Sequence, residues 1–136
     1  MRCVWDRLRR KFVALTPEEW VRQHFVNFLI TRRAYPEGLM ANEVSMLQNG
    51  CRRRCDTIVY NHEAAPLAVV EYKAPDVAVT ERVFDQIVRY NMVQGVRWLM
   101  VSNGLSHYCC YCLPDGKYRF VKDIPQYTSL YDQLQS

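Results

Sequence analysis

The chain has 136 residues, 49% of them hydrophobic and 24% charged, with a formal net charge of +4. That is enough for one domain with a buried core, and too near the globular average for a disordered or low-complexity chain. The longest apolar run, residues 64–70, falls far short of the about 20 residues that a membrane-spanning helix needs. MRCVWDRLRRKF lacks the apolar centre of a secretory signal, and no glycine-rich loop leads into a Lys-Ser/Thr pair. A cytoplasmic chain without a membrane span or an ATP site is therefore expected.

In chain order, a helix comes first. Thr16 is placed to cap it, Pro17 suits the first helical position, and Glu19 is placed to close a capping box. Val21, Phe25, Phe28 and Leu29 then recur at helical spacing up to the Tyr35-Pro36-Glu37-Gly38 turn. Strand-like runs follow at about 42–47, 54–60 and 67–73, the last nearly all apolar, as a strand covered on both faces would be. Pro75 ends it. A helix at about 79–92 leads to strands at 96–102, 106–113 and 118–121, and a short helix is expected after Pro125. The order α-β-β-β-α-β-β(-β)-α predicts an α/β fold, a mixed sheet flanked by helices.

Six cysteines without a secretory signal point to a reducing compartment. Cys51-x3-Cys55 and Cys109-Cys110-Tyr111-Cys112 both lack the C-x2-C spacing of a zinc knuckle, so the expected role is that of small buried hydrophobes. Charge is uneven. Residues 1–33 carry eight Lys/Arg against Asp6, Glu18 and Glu19, and Arg52, Arg53 and Arg54 form a second basic cluster. Such surfaces suit a polyanion, or serve simply as a solvated face.

Glu71 and Lys73 sit two apart in the most apolar strand, on one face. Unpaired buried charge is strongly unfavourable, so a use beyond stability is expected. If the preceding strand forms a hairpin with this one, Asp56 lies beside them. Two carboxylates and an ammonium would then converge. Mg²⁺ takes one or two protein carboxylates and keeps several waters, and an ammonium can orient an attacking water.

Asp56, fourteen intervening residues and then Glu71-Tyr72-Lys73 resembles the PD-(D/E)-x-K nuclease superfamily, with Cys55 where the family's name has proline. TPEEWVRQHF, VVEYKAP, FDQIVRYN and VSNG together look like the N-terminal nuclease domain of type I restriction enzyme R subunits, over about residues 15–112. The resemblance implies a restriction-endonuclease-like core with the order α-β-β-β-α-β-β. The whole chain, 1–136, reads as a single nuclease-like domain: a core at about 15–113, a basic segment 1–15 and an extension 114–136. It implies an Mg²⁺-dependent endodeoxyribonuclease with Asp56, Glu71 and Lys73 at its centre. Gln86 and Tyr90, four apart on one helix face, match the family's Gln-x3-Tyr element. The resemblance also implies a first-helix glutamate near the metal. Glu18, three residues before Val21 and seven before Phe25, is chosen over Glu19, whose capping role already accounts for it. Metal ligands are thus expected to be Asp56, Glu71 and Glu18, with Arg52 to Arg54 on DNA.

Expected partners are double-stranded DNA and, through a longer chain carrying the ATP-driven motor, the methylation and specificity subunits. Two other readings stand beside this one. One is a catalytically silent nucleic-acid-binding or assembly module of the same fold; the other is a small scaffold that uses its cysteines for zinc or redox work.

Overall fold

The computed structural model describes the whole chain except residues 49, 94 and 133–136. Residues before the first helix form a hairpin that the sequence pattern does not announce, β1 (Cys3–Asp6) with β2 (Lys11–Ala14). Its anchor is Asp6, fully buried. The Asp6 carboxylate accepts the Leu8 N–H at 2.8 Å, the Asn42 amide at 3.0 and 3.2 Å, and the Arg9 guanidinium. Burial raises the cost of that charge, and these donors more than offset it, holding the carboxyl below its usual range.

Helix α1 (Pro17–Arg33) starts at the expected cap: Thr16 Oγ1 accepts the Glu19 N–H at 3.1 Å. It ends at Ala34, left-handed at φ 61°, whose N–H returns to the Leu29 carbonyl. Its buried arc includes Val21, Phe25, Val26 and Leu29.

Strands β3 (Met40–Gln48), β4 (Cys51–Tyr60), β5 (Pro66–Tyr72), β6 (Trp98–Ser102), β7 (His107–Cys112) and β8 (Tyr118–Val121) form one sheet in sequence order. Only β5 and β6 run parallel, and α2 (Glu81–Asn91) is the crossover that a parallel pair requires. The fold is a mixed α/β architecture with a six-stranded sheet and two helices, consistent with the restriction-endonuclease-like arrangement expected.

Alternation along β5 divides the core. Ala68, Val70 and Tyr72 join the cluster containing the α1 residues, while Val69 joins the cluster containing Phe84 and Ile87 of α2. The cysteine run of β7 is split likewise, Cys109 toward α1 and Cys110 and Cys112 toward α2. The tail folds back as a short 3₁₀ helix, Tyr127–Tyr131, fixed where Trp98 Nε1 donates to the Leu130 carbonyl at 2.9 Å. Burying Leu130 contributes about 2 kcal/mol.

One departure from a flat sheet matters for the site. β3 pairs with β4 to the hairpin end, but β4 pairs with β5 only from Thr57 to Tyr60. Residues 43–48 and 51–56 therefore run on as a two-stranded ribbon beyond the sheet.

Candidate active site

The ribbon parts from β5 where Asp56 and Glu71 stand. The last paired residues are Thr57 and Val70, so the next step brings Asp56 opposite Glu71. By alternation Glu71 shares the α2-side face with Val69, while on β4 both Cys55 and Ile58 join the cluster on that face, so the alternation is broken around Asp56. Asp56 Oδ2 accepts the Tyr72 N–H at 2.9 Å, a carboxylate standing where a ladder carbonyl would otherwise be. The Asp56 carbonyl instead accepts from Arg22 Nη1 at 2.8 Å.

Glu71 is only 7% exposed, and its Oε1 is buried without a hydrogen-bond partner. Burial, and then the like charge of Asp56, push its carboxyl up to about 9, with the Lys73 ammonium acting the other way. Lys73 lies just past β5, half-buried, its N–H donating to the Ser102 carbonyl at 2.9 Å. No ion pair within 4 Å engages its ammonium among the described residues. A buried oxygen without a donor, a second carboxylate beside it and an ammonium without an ion-pair partner are thus brought together. The chemistry fits Mg²⁺, which needs few protein ligands. Among the described residues no group of three or more His, Cys, Asp or Glu is arranged to hold a metal. Asp56 and Glu71 are the two carboxylates that would hold such an ion, with solvent completing its shell.

The expectation that Glu18 extends the core-facing stripe is corrected. Glu18 is exposed, whereas Glu19 is 4% exposed and turned inward. The buried arc of α1 holds residues 19, 21, 22, 25, 26 and 29; it includes Val21 and Phe25 but begins at Glu19 and leaves Glu18 outside. Partners decide it. Glu19 Oε1 accepts from Arg9 at 2.6 Å and Arg22 at 2.7 Å, and its Oε2 accepts from Arg22 at 3.0 Å and Gln23 at 2.8 Å. The donors lower its carboxyl despite burial. The capping box is thus only half formed, since the Glu19 side chain does not return to the cap. Arg22 goes on to Glu43 Oε1 at 2.9 Å. Glu43 lies opposite Asp56, at φ 58°, a left-handed conformation costing about 1–3 kcal/mol in a non-glycine residue. Arg22 and Glu43 are functional candidates that the sequence reading missed.

The VSNG segment also has a local job. Asn103 Nδ2 donates to the Val77 carbonyl at 2.8 Å, and Asn103 Oδ1 accepts the Leu105 and Ser106 N–H groups. It ties the loop after Lys73 to the β6–β7 turn. Gly104, at φ +88°, makes that turn under Trp20, where a Cβ would come within 3.0 Å of Cζ3.

Gln86 and Tyr90 are placed otherwise than expected. Phe84 and Ile87 hold the inner arc of α2, so Gln86 is exposed and Tyr90 is 53% exposed. Both line an open groove with Arg82, Asp85 and Arg89, and no hydrogen bond joins either to Lys73. Arg52, Arg53 and Arg54 are exposed on the ribbon, with Arg54 held by Glu43 at 2.6 Å.

Compared with known families, residues 17–125 match the type I restriction enzyme R protein N terminus (HSDR_N). The chain belongs to that family. Among curated proteins no match was found. The R-protein match spans the first helix, the whole sheet and α2, so Asp56, Glu71 and Lys73 all lie within it. No helix among the described residues is long and apolar enough to cross a membrane.

Proposed function

We propose that this R-protein N-terminal domain is an Mg²⁺-dependent endodeoxyribonuclease of the PD-(D/E)-x-K kind. The observation that carries the reading is Glu71: a buried carboxylate with an orphaned oxygen, beside Asp56 and within reach of Lys73. Asp56 and Glu71 hold the cation, and Lys73 orients the attacking water and offsets charge gathering on the phosphate. Mg²⁺, when bound, supplies a water of lowered pKa and a positive charge beside the phosphoryl oxygens. Glu19 and Arg22 act on the far side of β4, keeping Asp56 in place through its carbonyl. Gln86 and Tyr90 are assigned to contacts with the incoming DNA, since they are exposed on the helix that follows the site. Glu18 has no role at the metal in this reading.

Cleavage is double-stranded and belongs to an assembled cytoplasmic enzyme, in which methylation and specificity subunits choose the sequence and a motor carried elsewhere hydrolyses ATP. A silent assembly module of the same fold is favoured by one fact, the full commitment of Glu19 to Arg9, Arg22 and Gln23, and the same experiment separates the two. Plasmid cleavage with Mg²⁺ by the assembled enzyme carrying this domain is expected to fall at least about 100-fold in Glu71→Ala and in Lys73→Ala, with ATP hydrolysis continuing. Undiminished cleavage in either variant would place the cutting site elsewhere.

A further inference from the structure

The candidate site lies at the root of the β3–β4 ribbon; among the described residues no third strand pairs with the ribbon, though Val44, Met46 and Cys55 pack against the α2-side core. Its ladder runs unpaired by β5 from Val44↔Cys55 to Gln48↔Cys51. At about 3.4 Å per residue, the five paired residues per strand give an arm about 17 Å long. Between residues 44 and 55 there is no acidic residue and there are three arginines. Arg54 is engaged by Glu43, but Arg52 and Arg53 are exposed and have no ion pair among the described residues. Directly across from Arg52 stands Leu47, 75% exposed.

Charge on an edge ribbon has an ordinary use, which is to stop strands of different molecules from pairing. One or two lysines would do that. Here the charge is all arginine, consecutive, and two to four residues from Asp56 on the same strand.

We infer that the ribbon enters the major groove of B-form DNA, Arg52 and Arg53 meeting the groove walls, and so delivers a bordering backbone to the Asp56–Glu71–Lys73 site. The delivery step rests on the nuclease reading; the groove contact does not. The major groove is about 12 Å wide and admits a two-stranded β-ribbon. From Arg53 to Asp56 is three residues, about 10 Å along β4. A ribbon lying in the groove therefore has the carboxylates near the sugar–phosphate rail at the groove's edge. Duplex RNA is disfavoured as the occupant, because its major groove is too narrow for side chains to read. A protein partner is disfavoured by the run of unneutralised arginines and the absence of any aromatic side chain between 44 and 55.

Cys51 supplies the probe, being exposed at the end of the arm. In a Cys3→Ser background, which removes the other exposed thiol, Cys51 is offered duplex DNA carrying an activated disulfide on a short tether. The thiolate attacks the tether's inner sulfur and the activating aryl thiolate leaves. Cross-linking is expected when the tether projects from cytosine N4 into the major groove, and not when it projects from guanine N2 into the minor groove. The Arg52→Ala/Arg53→Ala double variant is expected to lose about tenfold in duplex affinity and to lower the salt slope by about two. Cross-linking from the minor groove, disulfide-linked protein dimers in place of DNA adducts, or unchanged affinity in the double variant would each overturn the inference. The same cross-link is read in Glu71→Gln, since it needs no cleavage. A major-groove adduct there, together with full cleavage by Glu71→Ala enzyme, would remove the nuclease site and leave the arm.

Discussion

Arg22→Ala is expected to cost the fold about 3–5 kcal/mol, the range for removing one partner of a buried ion pair. Arg22 is buried, and one guanidinium serves Glu19, Glu43 and the Asp56 carbonyl. Its loss leaves Glu19 buried with Arg9 and Gln23 alone, and leaves the left-handed Glu43 with only the exposed Arg54. Against a total stability of about 5–15 kcal/mol, that loss is large. Arg22→Lys keeps a charge but not the fork that reaches three acceptors, so an intermediate loss is expected. Urea unfolding of the three proteins measures it. A change below about 1 kcal/mol for Arg22→Ala would mean that the network is cosmetic.

Glu71→Gln is expected to do the opposite, raising the stability of the metal-free domain by about 1–3 kcal/mol near neutral pH. Burial and Asp56 raise the Glu71 carboxyl to about 9, against the 4.5 of an ordinary glutamate. The folded chain therefore holds a proton that the unfolded chain releases, and the stabilisation is fully present below about 4.5 and lost as pH climbs toward 9. The groups that face it are Asp56, Cys55 and Lys73; the first is an anion and the last a cation on opposite sides of the balance. The amide cannot ionise, so the melting temperature of the variant should vary less between pH 6 and pH 9 than that of the parent. Equal slopes in metal-free buffer would show that Glu71 is not strained by burial. A side chain whose removal stabilises the fold is kept for function.

The order of elements was legible because the sheet and both helices follow strong periodicities, and because Pro75, Gly104 and Gly116 mark turns. Asp56, Glu71 and Lys73 stood out because charge in an apolar strand has no local explanation. What escaped the sequence has local camouflage or distant causes. The β1–β2 hairpin has strands of four residues, too short for a pattern, and is held by Asp6 to Asn42 far along the chain. Glu19 has a local role as the third residue after a cap, which hid its partners Arg9, on the hairpin, and Arg22, one turn on in the same helix. Glu43 adopts a left-handed backbone without being glycine, and no neighbour in sequence announces it. For Gln86 and Tyr90 the shared helix face was read correctly, but which way that face turns depends on Phe84 and Ile87 packing inward.

The proposed binding of a divalent cation by Asp56 and Glu71 is tested most directly by one melting experiment that requires no cleavage. At pH 8, about 10 mM Mg²⁺ is added to the chain and to its Glu71→Gln variant, with equal ionic strength kept by NaCl in the controls. A cation that binds only the folded state raises the melting temperature, and here it also replaces the proton that burial forces onto Glu71. The parent protein should be stabilised by Mg²⁺, and the variant, whose amide has no proton to exchange for the cation, should not respond. Equal shifts in both proteins, or no shift in the parent, would contradict a metal site at this carboxylate pair.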